Sequence, residues 1–174
     1  MLTFVKADIF TLGADALVLP ANTVGTLGGG LAASFNRRYP DLLLPYRAAC
    51  NSGELRIGTV FAWTAPTSEL IVCLPTKTHY RLPSEINYVE QGLRALRRWA
   101  IEQVPGCLAL PALGCGLGGL DCAAVRPMIE RELDDLRMEV YVCEPDSPAA
   151  TPRRRGDETR RDLGGSDGES GSQT

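Results

Sequence analysis

Apolar residues in the first 145 positions gather into short runs of strand length. Longer segments separate these runs, and in them apolar residues recur every three or four positions. Leu2 to Lys6 alternates weakly and predicts a first strand, followed by Asp8 and a turn around Thr11 to Gly13. Ala14 to Leu19 is a continuous small and apolar run, the pattern of a strand buried on both faces, and it ends at Pro20-Ala21-Asn22. Leu31 to Tyr39 has helical spacing, with Leu31 and Phe35 on one face. Pro40-Asp41 breaks it, and Leu42 to Cys50 forms a second short helix stopped by Asn51-Ser52-Gly53. Two strands, Thr59 to Ala65 and Glu69 to Leu74, are joined by Pro66-Thr67-Ser68 and lead into a polar loop, Pro75 to Ser84. Ser84 is placed to N-cap a helix reaching about Gln103, with Ile86, Val89, Leu93, Leu96 and Ala100 inward and Arg94, Arg97 and Arg98 outward. A strand over Gly106 to Pro111 and a helix over Asp121 to Leu136 follow, the helix with Val125, Ile129, Leu133 and Leu136 inward. Arg137 to Glu144 alternates and closes the pattern as a last strand.

Strands alternating with helices predict a three-layer α/β/α domain around a mixed, largely parallel sheet. In such sheets ligands sit beyond the carboxyl ends of the strands. Asn22, the loop Gly25–Gly30, the loop Pro75–Ser84 and the loop Gly114–Gly119 all follow strands and converge on one rim in this arrangement. The domain occupies residues 1–145. From residue 146 to 174 the chain is Pro, Gly, Ser, Arg, Asp and Glu with almost no large apolar residue, the composition of a disordered polar tail. Its arginine clusters are interleaved with acids, which is the pattern of a solvated segment.

Composition narrows the chemistry. The net charge of −3 excludes a generic polyanion binder. Six cysteines are scattered without a C-x-x-C pair, and with one histidine in the chain no zinc site is expected. Buried thiols in a reducing compartment account for them. The absence of a leader pattern or a membrane-length apolar run predicts a cytoplasmic protein with no membrane association.

The chemistry concentrates in two glycine-rich stretches. Leu108 to Asp121 reads L-A-L-P-A-L-G-C-G-L-G-G-L-D, an apolar strand breaking into glycines before a helix. Gly25 to Gly30 forms the second loop. Glycine permits close backbone approach, and the free N–H groups of a first helical turn favour an anion. Two such loops facing each other can hold a diphosphate between backbone amides without Lys or Arg. Neither has the P-loop pattern, and G-T-L-G-G-G lacks the acidic residue a dinucleotide fingerprint requires.

These stretches, with K-A-D-I-F near the start, A-D-A-L-V-L-P-A-N and the P-T-K-T-H-Y-R loop, resemble the macrodomain family, the ADP-ribose-binding fold, over residues 1 to about 145. The combination P-A-N, G-x-G-L-A, P-T-K-x-H-x-R and P-A-L-G-C-G-x-G-G-L-D is similar to the macrodomains of DarG antitoxins, which reverse ADP-ribosylation of thymidine in single-stranded DNA. That resemblance implies an ADP-ribosyl hydrolase that depends on a lysine, uses no cofactor or metal, and has a DarT-like toxin as its functional counterpart. A non-catalytic reader of ADP-ribose and a hydrolase of protein-linked or small-molecule ADP-ribose derivatives are the alternatives.

By position, the resemblance puts Asp8 at the adenine amino group with the Ile9 amide beside it, and Asn22 near the distal ribose. Gly28, Gly29, Gly30 and Leu31 match the first phosphate and ribose loop. Gly114, Cys115, Gly116, Leu117, Gly118 and Gly119 match the second. Lys77 matches the hydrolytic lysine, attacking C1 of the distal ribose or forming a Schiff base with its opened aldehyde. Its amine would be kept neutral by burial or by Arg81 and a protonated His79. His79 and Asp121 are auxiliary candidates, Asp121 also being a natural helix N-cap. Lys77, His79, Tyr80 and Arg81 together supply cations and an aromatic ring for a single strand, extended by the outward arginines of the next helix. Two departures stand out. Gly118 lies where relatives acting on protein carboxylates carry an aspartate. Cys143, with Tyr141 two residues earlier, lies where many relatives stack an aromatic ring on adenine.

Overall fold

A computed structural model describes residues 1–145; the tail predicted from residue 146 onward lies outside the described residues. Six strands form one sheet: β1 (Leu2–Val5), β2 (Ala16–Asn22), β3 (Phe61–Thr64), β4 (Leu70–Lys77), β5 (Cys107–Pro111) and β6 (Glu139–Cys143), in the spatial order β1-β6-β5-β2-β4-β3. All neighbouring pairs are parallel except β3 with β4, an antiparallel edge made by the Pro66 turn. Four α-helices cover the sheet: α1 (Gly30–Arg38), α2 (Leu43–Ser52), α3 (Ile86–Gln103) and α4 (Cys122–Leu133).

The period of two along each strand sorts the core into two halves. On β2, Ala16 and Val18 meet Leu93 and Leu96 of α3 and Ile129 of α4 in one cluster. Leu17 and Leu19 meet Phe35 of α1 and Tyr46 of α2 in the other. The central strands have no polar face because both faces are covered, which gives their continuous apolar runs. The three-layer α/β/α architecture with a mixed, mostly parallel sheet is therefore the one the sequence pattern predicts.

Three boundaries move, each with a physical cause. The strand expected to end at Leu19 continues as β2 to Asn22, because Pro20, having no N–H to offer, still pairs in parallel register with Leu74, and the ladder slips only between Ala21 and Asn22. The strand expected to end at Leu74 continues as β4 to Lys77, so Lys77 sits on a strand end held by β2 rather than in a loop. Ser84 does not cap α3: Glu85 occupies the cap position without a side-chain bond, and Ser84 is buried with its hydroxyl turned to Thr76. Ile86 accordingly falls outside the buried face of α3 and is exposed. By contrast, Asp121 caps α4 as expected, its carboxylate accepting from the Ala123 N–H at 2.9 Å. Gly53 ends α2 in the left-handed conformation.

Two of the three outward arginines of α3 are met by acids. α3 packs beside α4, and Arg94 pairs with Glu90 and Glu132 while Arg97 pairs with Asp135. Only Arg98 of the three has no acidic partner among the described residues. No helix of the described residues is long and apolar enough to cross a membrane.

Candidate active site

Because β2, β4, β5 and β6 run parallel, Asn22, Lys77, Pro111 and Cys143 end at the same edge of the sheet. The chain leaves β2 towards α1 on one face and leaves β5 towards α4 on the other, which opens a crevice between the two loops. That crevice is a cleft of about 1180 Å³. It exceeds the roughly 300–1,000 Å³ usual for small-molecule sites and has room for an extended ligand.

The two glycine loops form facing walls. Gly28, Gly29, Gly30 and Leu31 line one side, and Gly114, Cys115, Gly116, Leu117 and Gly118 line the other. Leu117, three-quarters exposed, spans the gap: its Cδ1 would lie 3.1 Å from a methyl added at Gly30, whose φ of +53° disfavours a side chain in any case. Among the described residues no hydrogen bond takes the N–H groups of Gly28 to Ala32, nor those of Gly116, Leu117 and Gly118. These unused amides, some at the N-terminus of α1, make an anion cradle that needs no cationic side chain.

Gly118 has a second constraint. A methyl there would sit 2.3 Å from Ser84 Oγ and 2.5 Å from the Gly114 carbonyl oxygen. Ser84 is the centre of this packing. Its hydroxyl donates to Thr76 Oγ1 at 3.0 Å, its N–H donates to the Gly118 carbonyl at 2.9 Å, and the Glu85 N–H reaches the Thr76 carbonyl at 3.3 Å. The residue preceding Lys77 is thereby tied to the second glycine loop.

Lys77 lines the cleft at the end of β4, and burial alone lowers its amine from the usual lysine range. Of the two causes weighed from the sequence, burial or neighbouring cations, it is burial that acts here. His79 lies outside the cleft lining; its Nδ1 accepts the Arg81 N–H at 3.2 Å and its ring stacks on Tyr80. Asp121 also lies outside it, occupied in capping α4. Gly119 completes the second loop from behind, with its N–H on the Gly116 carbonyl.

Asn22 is buried in the cleft wall with its amide fully engaged. Nδ2 donates to the Thr26 carbonyl at 2.8 Å and to Thr26 Oγ1 at 3.0 Å, while Oδ1 accepts from the N–H groups of Val24 and Thr26. The first loop is thus wound around Asn22 as an Asx turn. Tyr46, fully buried on α2, holds the same residue: its hydroxyl donates to the Asn22 carbonyl at 2.6 Å and accepts the Asn22 N–H at 3.1 Å. Burial pushes the Tyr46 phenol well above its ordinary range, so it remains protonated and donating. The helical pattern marked α2 but carried no signal that its tyrosine reaches the site. Tyr46→Phe leaves the Asn22 N–H without this partner and its carbonyl with only the Cys50 thiol at 3.7 Å, and we expect it to cost about 1–3 kcal/mol of stability, read by chemical denaturation.

At the far end, Cys143 and Glu144 line the cleft while Asp8, Ile9 and Tyr141 do not. Asp8 caps a single 3₁₀ turn, Ile9–Thr11, its Oδ1 accepting the Phe10 N–H at 3.0 Å. It stands near enough to Cys143 that burial first, and then the Asp8 carboxylate, push that thiol up to about 11. Tyr141 shares a sheet face with Cys143 as expected, but it sits in mid-strand opposite Thr3 and Ala109, with its hydroxyl on Glu139. Cys115, buried under the second loop, has its thiol raised by burial and bonded to the Leu113 carbonyl. It is a packed thiol rather than a nucleophile. No group of residues suited to a metal ion occurs among the described residues.

The site is thus a parallel-sheet crevice walled by two amide-rich glycine loops. The Macro domain family model matches residues 18–129, and the chain belongs to that family. It is 40% identical over 149 residues to the DNA ADP-ribosyl glycohydrolase of Thermus aquaticus, the alignment covering 83% of this chain and 41% of that protein. The solved macrodomain of Thermus aquaticus DarG superposes with a TM-score of 0.79 at 40% identity, covering 83% of this chain and 99% of that one. The Thermosipho africanus DarTG structure in complex with ADP-ribose gives 0.77 at 33% identity, over 83% of this chain and 41% of that one. The chain spans about two-fifths of the length of the curated DNA ADP-ribosyl glycohydrolases it matches.

Proposed function

We propose that this chain is an ADP-ribosyl hydrolase that removes ADP-ribose from thymidine bases of single-stranded DNA, with a DarT-like toxin as its functional counterpart. The observation that carries the reading is the position of Lys77, a partly desolvated amine on a strand end in the same cleft as both amide cradles. The cradles take the diphosphate. Asp8, Ile9 and Cys143 lie towards the adenine end, and Asn22 shapes the wall of the distal ribose.

In this arrangement the neutral Lys77 amine attacks C1 of the distal ribose. The bond from C1 to the base nitrogen breaks, and the base leaves with that electron pair and takes up a proton. Water then displaces the amine, giving free ADP-ribose and restoring Lys77. The amine supplies the nucleophile, so the reaction needs no metal. The lack of space at Gly118 argues against a carboxylate partner at that position and in favour of the lysine acting without one.

The test is release of ADP-ribose from an ADP-ribosylated single-stranded oligonucleotide, with and without EDTA. Release that is unchanged within about twofold by the chelator is expected. If the protein binds ADP-ribose but leaves the oligonucleotide intact, it is a reader. Cleavage of an ADP-ribosylated peptide instead would make it protein-directed.

A further inference from the structure

The cleft has a further edge beside Lys77, apart from the two glycine loops. Beyond Lys77, the chain turns outward through Thr78, His79, Tyr80 and Arg81 before returning at the buried Ser84. The Tyr80 ring lines the cleft mouth yet is 49% exposed. It is not a stray aromatic. His79 stacks on it with ring centroids 4.2 Å apart and planes 28° from parallel, and the Arg81 guanidinium lies over the ring, 5.5 Å from its centroid. The Arg81 N–H on His79 Nδ1 fixes the imidazole in that stack. Where Arg94, Arg97, Arg126 and Arg131 all have carboxylate partners, Arg81 has none among the described residues.

The same edge continues on the other side of Lys77. Thr23 Oγ1 donates to the Thr78 carbonyl at 2.9 Å, so the first glycine loop is fastened to the turn. Gly25 lies against the backbone of Arg47 on α2, so close that a methyl there would be 3.0 Å from its Cα. Arg47 bonds only the Gly25 carbonyl and has no acidic partner among the described residues. Val24 and Leu44 add exposed apolar surface beside it.

We infer that Tyr80, backed by His79 and flanked by Arg81, is the stacking platform for a base next to the modified nucleotide, with the strand running past Thr23 and Val24 towards Arg47. This rests on the DNA-directed reading and gives it a physical basis for substrate choice. Tyr80 is three residues from Lys77, at most about 10 Å along the chain, so a ligand whose reacting carbon lies at Lys77 presents its neighbouring base there. Aromatic stacking is indifferent to sequence, and unpaired guanidinium groups on either side suit a phosphate backbone. Beyond the adenine and diphosphate of ADP-ribose itself, a modified peptide or a small derivative offers neither bases nor a row of phosphates, and it would leave the platform idle.

The measurement is fluorescence anisotropy on Lys77→Ala protein, so that binding is read whether or not the parent turns over. The probes are ADP-ribosylated thymidine, a short ADP-ribosylated single-stranded oligonucleotide and an ADP-ribosylated peptide. The oligonucleotide is expected to bind more tightly than the nucleoside. Adding Tyr80→Ala should erode that advantage by about 5- to 150-fold, the value of one stacked base, and Tyr80→Phe should restore it. Arg81→Ala should flatten the salt dependence by close to one phosphate, a slope change of about 0.7. Equal affinity for nucleoside and oligonucleotide overturns the inference, as does an equal loss on both in Tyr80→Ala. So does a peptide whose affinity depends on Tyr80 as strongly. Failure of the parent to release ADP-ribose would sink the hydrolase reading while leaving these binding results to stand or fall separately.

Discussion

Lys77→Ala should lower ADP-ribose release by roughly 10³-fold or more, the scale on which removal of a nucleophile is felt. Affinity for ADP-ribose should stay within about threefold, because the proposed reading gives the diphosphate to the unused backbone amides of the two loops rather than to this side chain. Lys77→Arg separates charge from nucleophilicity. A guanidinium keeps the cation but does not deprotonate in proteins, so this variant should be as inactive as the alanine. An arginine variant retaining a tenth of the parent rate would show that Lys77 acts as a charge and would sink the covalent route.

The pH profile carries the same logic with a definite sign. In the proposed route the reactive species is the neutral amine, so activity should rise with pH until the amine has lost its proton. Burial disfavours the charged form and lowers the Lys77 pKa. The rising limb should therefore reach its midpoint below the usual lysine value of about 10.4. A limb centred on that usual value would mean that the lysine is solvated in the working enzyme.

Gly118→Ala is the second large effect. The added methyl has no free direction, facing Ser84 Oγ on one side and the Gly114 carbonyl on the other. Overpacking of this kind costs about 1–3 kcal/mol, which for a domain of this size lowers Tm by about 2–10 °C. The functional loss should be larger than the stability loss suggests, with ADP-ribose affinity down at least tenfold by titration calorimetry. Relief of the clash must move either the second loop, whose amides form the cradle, or Ser84, which ties that loop to the strand bearing Lys77. Retention of parental affinity in Gly118→Ala would show that the loop adjusts without cost. The same crowding explains why an aspartate, resembling the pattern of carboxylate-directed relatives, has no place at this position.

Much of the fold was legible before any coordinates. Ala14 to Leu19 read as a buried strand because a strand covered on both faces has no polar alternation to hide it, and Gly106 to Pro111 read as a strand from its short apolar run. Val89, Leu93, Leu96 and Ala100 marked the inner face of α3 because helical spacing depends only on burial. The outer face was legible only as an outer face, for the complementary reason. Periodicity says that Arg94 and Arg97 avoid the core, but not that a neighbouring helix brings Glu132 and Asp135 to meet them.

The sequence by itself determined the alternation of strands and helices, the two glycine loops, and the resemblance that singled out Lys77. All of these are written in local spacing, and glycine-rich turns keep their meaning wherever the chain carries them. Tertiary structure alone decided what surrounds those residues. Tyr46 and Asn22 are 24 positions apart, and Thr76 and Gly118 meet through Ser84; no local pattern encodes either meeting. The register of β2 against β4 carried Pro75-Thr76-Lys77 out of an expected loop into the sheet, where pairing makes the lysine's position rigid and its burial lowers its pKa. Side-chain partners across the sheet are fixed by strand register and helix packing, and those are properties of the assembled core rather than of any stretch of the chain.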